Sequence, residues 1–171
     1  MTKLLKDGKA VSDAWIHVAD GDDVPETGPV IVTLARWLAE HNTLAGRKDG
    51  LGIRLESGQS PEAIKDDLAR FAVVALEFPK FGDGRAYSYA RMLKDRLGYK
   101  GEVRAVGDVL RDQYRAMHRC GFDVLEVSGD RPANRLEADW RAALGELRHA
   151  YQPALRGPQP VLRQRHRAAA A

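Results

Sequence analysis

"AVVALEFPKFGDGRAYSYARML", residues 72–93, decides the fold. Its first seven residues, "AVVALEF" (72–78), are nearly all apolar, which is the composition of a strand covered on both faces rather than of a hairpin strand with one wet side. Phe78 and Pro79 close the run, and a knot of Lys80, Gly82, Asp83, Gly84 and Arg85 turns the chain. From Gly84 the apolar positions Ala86, Tyr89 or Ala90, Leu93 and Leu97 recur at helical spacing, and Gly98 stands where the left-handed residue ending a helix belongs. A doubly buried strand followed at once by an amphipathic helix is the first half of a parallel βα unit.

The same rhythm extends both ways. Downstream, "EVRAV" (102–106) predicts a strand, and Asp108 is placed to cap a helix carrying Leu110, Tyr114 and Met117 on one face, stopped by Gly121. "FDVLEV" (122–127) predicts the next strand, and Leu136, Trp140, Leu144 and Leu147 form the apolar stripe of a last helix. Upstream, "LGIRL" (51–55) predicts a strand. "SPEAIKDDLARF" predicts a helix with Ser60 as N-cap, Pro61 at the first position and Ile64, Leu68 and Phe71 facing inward. Between 30 and 39 the signal divides: Val30, Leu34, Trp37 and Leu38 keep a helical period, while Val30-Ile31-Val32 has the composition of a short strand.

At the N-terminus, "KLLKDGKAVSDAWIHV" predicts two short strands about a Lys6-Asp7-Gly8-Lys9 turn, because Asp-Gly accepts the positive φ angles of tight hairpins. "ADGDDVPETGP" (19–29) is a polar connection. The fold class is therefore α/β, a mostly parallel sheet of about four βα units with an N-terminal β-hairpin, a C-terminal helix and an irregular tail. Four such units build either an open wound sheet or about half of a β/α barrel, and the periodicities fit both.

The 171 residues suit one domain, placed at 1–152, with a basic Pro-containing tail at 153–171. The formal charge is +3, but Arg156, Arg163, Arg165 and Arg167 give residues 151–171 a charge of +4 with no acid, which leaves −1 for residues 1–150. A near-neutral body gives no basis for a nucleic-acid surface. No stretch approaches the ~20 apolar residues of a membrane span and the start lacks a secretory signal, so the expected location is the cytoplasm. The lone Cys120 excludes an intrachain disulfide and is expected in the core. The five histidines show no paired ligand spacing, and dinucleotide, phosphate-loop and nucleophile-elbow motifs are missing.

Ligands of parallel sheets collect at the carboxyl ends of the strands. The four predicted strand ends lead into Glu56-Ser57-Gly58, Lys80 to Arg85, Gly107-Asp108 with Arg111 one turn on, and Ser128-Gly129-Asp130-Arg131. Convergence of Lys80, Arg85, Arg111 and Arg131 over one rim would form an anion site, or a partner site, with Asp83, Tyr87 and Asp108 among its residues. The plainer reading makes Asp83 and Asp108 helix caps and the basic side chains solvated. Tyr89 falls on the apolar face of its helix, which leaves Tyr87 as the exposed tyrosine.

"FPKFGDGRAYSYARMLKDRLGYKGEVRAVGDVLRDQYRAMHRCGFD" (78–123), with "GPVIVTLARWLA" (28–39), resembles an uncharacterised bacterial family whose genes commonly lie beside sulfite or nitrite reductase genes. Its members are sometimes labelled predicted oxidoreductases, and no catalytic residue is established to carry over. Ala86 stands where that family often has Gly. The resemblance implies an accessory protein of assimilatory sulfite reduction, with the reductase or a small anion as partner. It leaves open a small oxidoreductase using an external flavin or nicotinamide, and a non-catalytic interaction module.

Overall fold

The computed structural model describes residues 2–128, 137–145 and 155. The described residues form an eight-stranded sheet in the order β2-β1-β8-β7-β6-β5-β4-β3. β1 (Thr2–Lys6) and β2 (Lys9–Val11) are the predicted hairpin, and Asp7 (φ +50) and Gly8 (φ +75) take the left-handed conformations that a two-residue turn requires. β3 (Ile16–His17), β4 (Val30–Thr33), β5 (Leu51–Leu55), β6 (Val73–Phe78), β7 (Glu102–Gly107) and β8 (Val124–Ser128) follow in sequence order, each parallel to the next. β1 closes the set antiparallel to β8.

Sequential parallel order with right-handed crossovers puts the connections between successive parallel strands on one face. That face carries the main core. Val32, Ile53, Val74 and Val103, with Leu55, Leu76, Ala105 and Leu125, pack under Trp37, Ile64, Leu93, Met117 and Trp140. The covering elements are α1 (Leu34–Ala39), α2 (His41–Ala45), α3 (Arg85–Arg91), α4 (Tyr114–Cys120) and α5 (Glu137–Gly145). The divided signal at 30–39 is thus both things in turn, strand β4 and then α1, with the Thr33 hydroxyl capping by accepting from the Arg36 N–H at 3.1 Å.

The sheet cannot be flat. β2 and β3 occupy opposite edges, yet only Ser12–Trp15 separate Val11 from Ile16. Five Cα steps span at most about 18 Å, whereas the edges of a flat sheet of eight strands stand about 34 Å apart. The sheet therefore curls into a half-barrel, and residues 12–15 cross its concave face. Trp15 packs there on Ile31, Val73, Ala75 and Val106. Gly52 belongs to the same crowding, since a Cβ at this position would lie 2.9 Å from Ile31 Cγ1 and 3.2 Å from Val73 Cβ.

Three expectations are corrected. "SPEAIKDDLARF" does not form one α-helix: it forms two 3-10 turns, Pro61–Ile64 and Leu68–Arg70, although Ser60 caps the first and Ile64, Leu68 and Phe71 are buried as expected. Asp67 breaks the run, its carboxylate drawn to Arg70 Nε at 3.1 Å and to His41 Nε2 at 3.5 Å. Asp108 does not cap the segment before α4; Gln113 does, its Oε1 accepting from the Leu110 N–H at 3.0 Å at the head of a 3-10 turn, Arg111–Gln113. Tyr87 is not an exposed ring. It packs edge-on between Phe78 and Phe122, with centroids 5.3 and 6.3 Å away, and its burial pushes the phenol pKa up to about 12, with Cys120 and Asp112 as lesser causes.

α3 runs on into a π-turn, Met92–Arg96, closed by the Leu97 N–H donating to the Met92 carbonyl at 2.9 Å. Gly121, at φ +103, ends α4 as expected. Arg131 and the domain boundary at 152/153 lie outside the described residues.

Candidate functional site

β6 and β7 are adjacent and parallel, with Phe78 level with Gly107, so the loops that follow them emerge side by side at the carboxyl end of the half-barrel. They are tied to each other. The Asp108 N–H donates to the Phe78 carbonyl at 2.7 Å, the Phe81 N–H donates to Asp108 Oδ2 at 3.1 Å, and Gln113 Nε2 donates to the Phe81 carbonyl at 3.2 Å. Both backbone polar groups of Phe81 are thus held by side chains from the next loop, while its ring is half exposed at 50%.

Asp83 and Arg85 form a separate unit. Arg85 donates from Nε to Asp83 Oδ1 at 3.0 Å and from Nη2 to Oδ2 at 2.6 Å, and its backbone N–H reaches the same carboxylate at 3.1 Å. Ser57, buried at the end of β5, donates its hydroxyl to Asp83 Oδ2. The Arg85 hydrogen bonds first, then Ser57, hold the Asp83 carboxyl well below its ordinary range, and Asp83 in turn raises the Arg85 pKa. Asp83 therefore does accept a helix N–H, though the N-cap position is Gly84. Lys80 is exposed. The structure brings Asp83, Arg85 and Ser57 together, and it brings Phe81 together with Asp108 and Gln113; Arg85 turns toward the β5 loop, its Nη1 beside Gly58.

A second feature escaped the sequence reading. On the concave face Arg104, 1% exposed, donates from Nη1 to Asp13 Oδ2 at 2.8 Å and from Nη2 to Glu102 Oε1 at 3.0 Å, with Glu126 Oε2 4.0 Å away. The same Glu126 oxygen lies 2.9 Å from His17 Nε2. Flat geometry would hold β3 and β8 roughly 24 Å apart, so this pair exists only because the sheet curls. Beside it, Arg54 Nη2 donates to Glu77 Oε1 at 2.7 Å. A cavity of about 210 Å³ opens at the carboxyl ends of β3, β4 and β5, lined by His17, Asp20, Ile31, Thr33, Arg54 and Glu56 among others. A larger one, about 440 Å³, lies at the amino ends of β6 and β7, between Leu68, Phe71, Tyr99 and Lys100, away from the end where parallel sheets hold ligands.

The sequence signal for this face was the charge set among apolar strand residues: Arg54 in "LGIRL", Glu77 in "VVALEF", Glu102 and Arg104 in "EVRAV" and Glu126 in "VLEV". A charge in the middle of a buried strand has to find a partner.

A family model described as "Bacterial protein of unknown function (DUF934)" matches residues 52–162, from within β5 onward. The chain belongs to the DUF934 family. No curated protein matches it. The DUF934 match takes in Arg54, Glu56, Ser57, Phe81, Asp83, Arg85 and Asp108, whereas His17, Asp20 and Thr33 come from residues before it. Among the described residues no helix is long and apolar enough to cross a membrane.

Proposed function

We propose that this DUF934 protein is an accessory protein of assimilatory sulfite reduction that docks on the reductase through the rim formed by residues 78–85 and 107–113. One observation carries the docking: Phe81 keeps its ring half in water while side chains of the neighbouring loop hold both its backbone N–H and its carbonyl. Interface anchors are of this kind, aromatic side chains presented at little entropic cost and flanked by charge. Lys80 and the Asp83–Arg85 pair supply the flanking charge. The assignment to sulfite reduction rests on the gene neighbourhood that the family resemblance implies. The alternative of a bare anion held by the rim is weaker, because Arg85 already spends its guanidinium on Asp83.

Co-purification of the tagged chain with sulfite reductase, and growth of a gene-deleted strain on sulfate compared with sulfide, test the reading together. Wild-type chain is expected to retain the reductase and restore growth on sulfate, and Phe81→Ala to fold but do neither. Normal growth of the deletion strain with no association would overturn it. A thermal shift with flavins or nicotinamide nucleotides would favour the small-oxidoreductase reading instead.

A further inference from the structure

The 210 Å³ cavity at the carboxyl ends of β3, β4 and β5 stands apart from the docking rim and has its own chemistry. We propose that it binds a small zwitterion, a molecule of amino-acid size whose oxyanion meets Arg54 and whose ammonium group meets Asp20 and Glu56. The cavity, about 210 Å³ and open to solvent, suits a ligand of amino-acid size. A flavin or nicotinamide nucleotide is several times larger.

The charges set the class. Among the described residues of the wall, Arg54 is the one cationic side chain of fixed charge, and Asp20 and Glu56 are the two carboxylates. Arg54 gives Nη2 to Glu77, and its side chain, 38% exposed, has no acceptor for Nη1 among the described residues. An oxyanion entering the cavity can accept from that Nη1 in a charge-assisted hydrogen bond. Asp20 Oδ1 accepts from the Thr33 hydroxyl at 2.5 Å, which fixes that carboxylate in place. Glu56 is exposed, and its backbone N–H is held by Gln59 at 2.9 Å. A dianion such as sulfate would have to approach both carboxylates to reach one arginine, whereas a zwitterion satisfies both signs. His17, with Nε2 turned to Glu126, lines the same cavity and keeps Nδ1 as its second polar atom.

Thermal shift and calorimetry of the full chain with a panel of standard α-amino acids, against sodium sulfate, sodium sulfite, acetate and methylamine, test the proposal. Saturable stabilisation is expected from one or a few small α-amino acids and from none of the single-charge probes or inorganic anions. Arg54→Gln should weaken that binding roughly tenfold or more, the worth of a charge-assisted hydrogen bond. Since Arg54→Gln also strips Glu77 of its partner, the exposed Glu56→Gln serves as the second variant, expected to weaken amino-acid binding while leaving the melting temperature of the unliganded protein unchanged. No stabilisation by any amino acid overturns the proposal. So does equal stabilisation by sulfate, or amino-acid binding that survives both substitutions. None of these results bears on Phe81 or on capture of the reductase, so the two readings fail separately.

Discussion

Replacing Arg104 by Met tests the curl of the sheet and the crossing of residues 12–15 at once. Arg104 is 1% exposed and lies between Asp13 on the crossing segment, Glu102 on its own strand and Glu126 on β8. Met fills similar volume but leaves Asp13 and Glu102 without their cation, beside Glu126, which keeps His17. Removing one partner of a buried ionic cluster costs about 3–5 kcal/mol, chiefly through the uncompensated charges left behind. At about 2–4 °C per kcal/mol for a chain of this size, the melting temperature should fall by roughly 6–20 °C. Urea unfolding followed by tryptophan fluorescence suits the measurement, because Trp15 packs on the same concave face. A double-mutant cycle with Asp13→Asn isolates the contact made by the crossing segment. Residues paired at 2.8 Å should couple by about 0.5–3 kcal/mol. A loss below about 1 kcal/mol for Arg104→Met, or zero coupling to Asp13, would refute the reasoning: the crossing segment would then not lie over Arg104, and the concave network would not be a unit.

Phe81→Ala should change stability by no more than about 0.5 kcal/mol, since its ring is half in solvent, and a denaturation curve alongside the capture assay checks this. Tyr87→Ala should destabilise by about 2–4 kcal/mol, because its ring fills the space between Phe78 and Phe122, whereas the same change at an exposed tyrosine would be nearly silent. Absorbance titration should show the Tyr87 phenol ionising near pH 12 rather than near its ordinary 10. Between those pH values the unfolded chain has lost that proton and the folded chain keeps it, so stability should fall as pH rises through this window, and less steeply in Tyr87→Phe. Burial raises the Cys120 thiol pKa, with Arg91 and Arg119 opposing it, so alkylation near neutral pH should be slow in the folded protein and fast in urea.

Local chemistry made much of the fold legible. The Asp7-Gly8 turn follows from two residues that tolerate positive φ, and β6 from a run too apolar to have a wet face. What escaped depended on partners distant in sequence. Asp108 has the right position for a cap, yet its carboxylate is taken by the Phe81 N–H, 27 residues earlier, because β6 and β7 set their loops side by side. Tyr87 lies off the helical stripe that the sequence shows, but Phe122 reaches it from the segment leading into β8. Asp66 and Asp67 interrupt a pattern with a good cap and good periodicity, and tertiary ties to Arg70 and His41 settle it as two short turns.

The candidate site was legible to a different degree. The carboxyl ends of parallel strands could be located from the order of elements alone, and the polar residues that follow them could be named. Their pairing could not, because it depends on curvature. In a flat sheet Arg104, Glu126, Arg54 and Glu77 would lie on one open face, and His17 would stand at its far edge. Once the short link from Val11 to Ile16 forces the edges together, His17 must meet Glu126 and the face must become an interior. A few charged side chains then become tolerable inside the sheet only as mutually paired groups. Arg54 departs from this, since its side chain is 38% exposed at the wall of an open cavity and, among the described residues, only its Nη2 is taken, by Glu77; that is the reason to look for a ligand there rather than at the buried, paired Arg104.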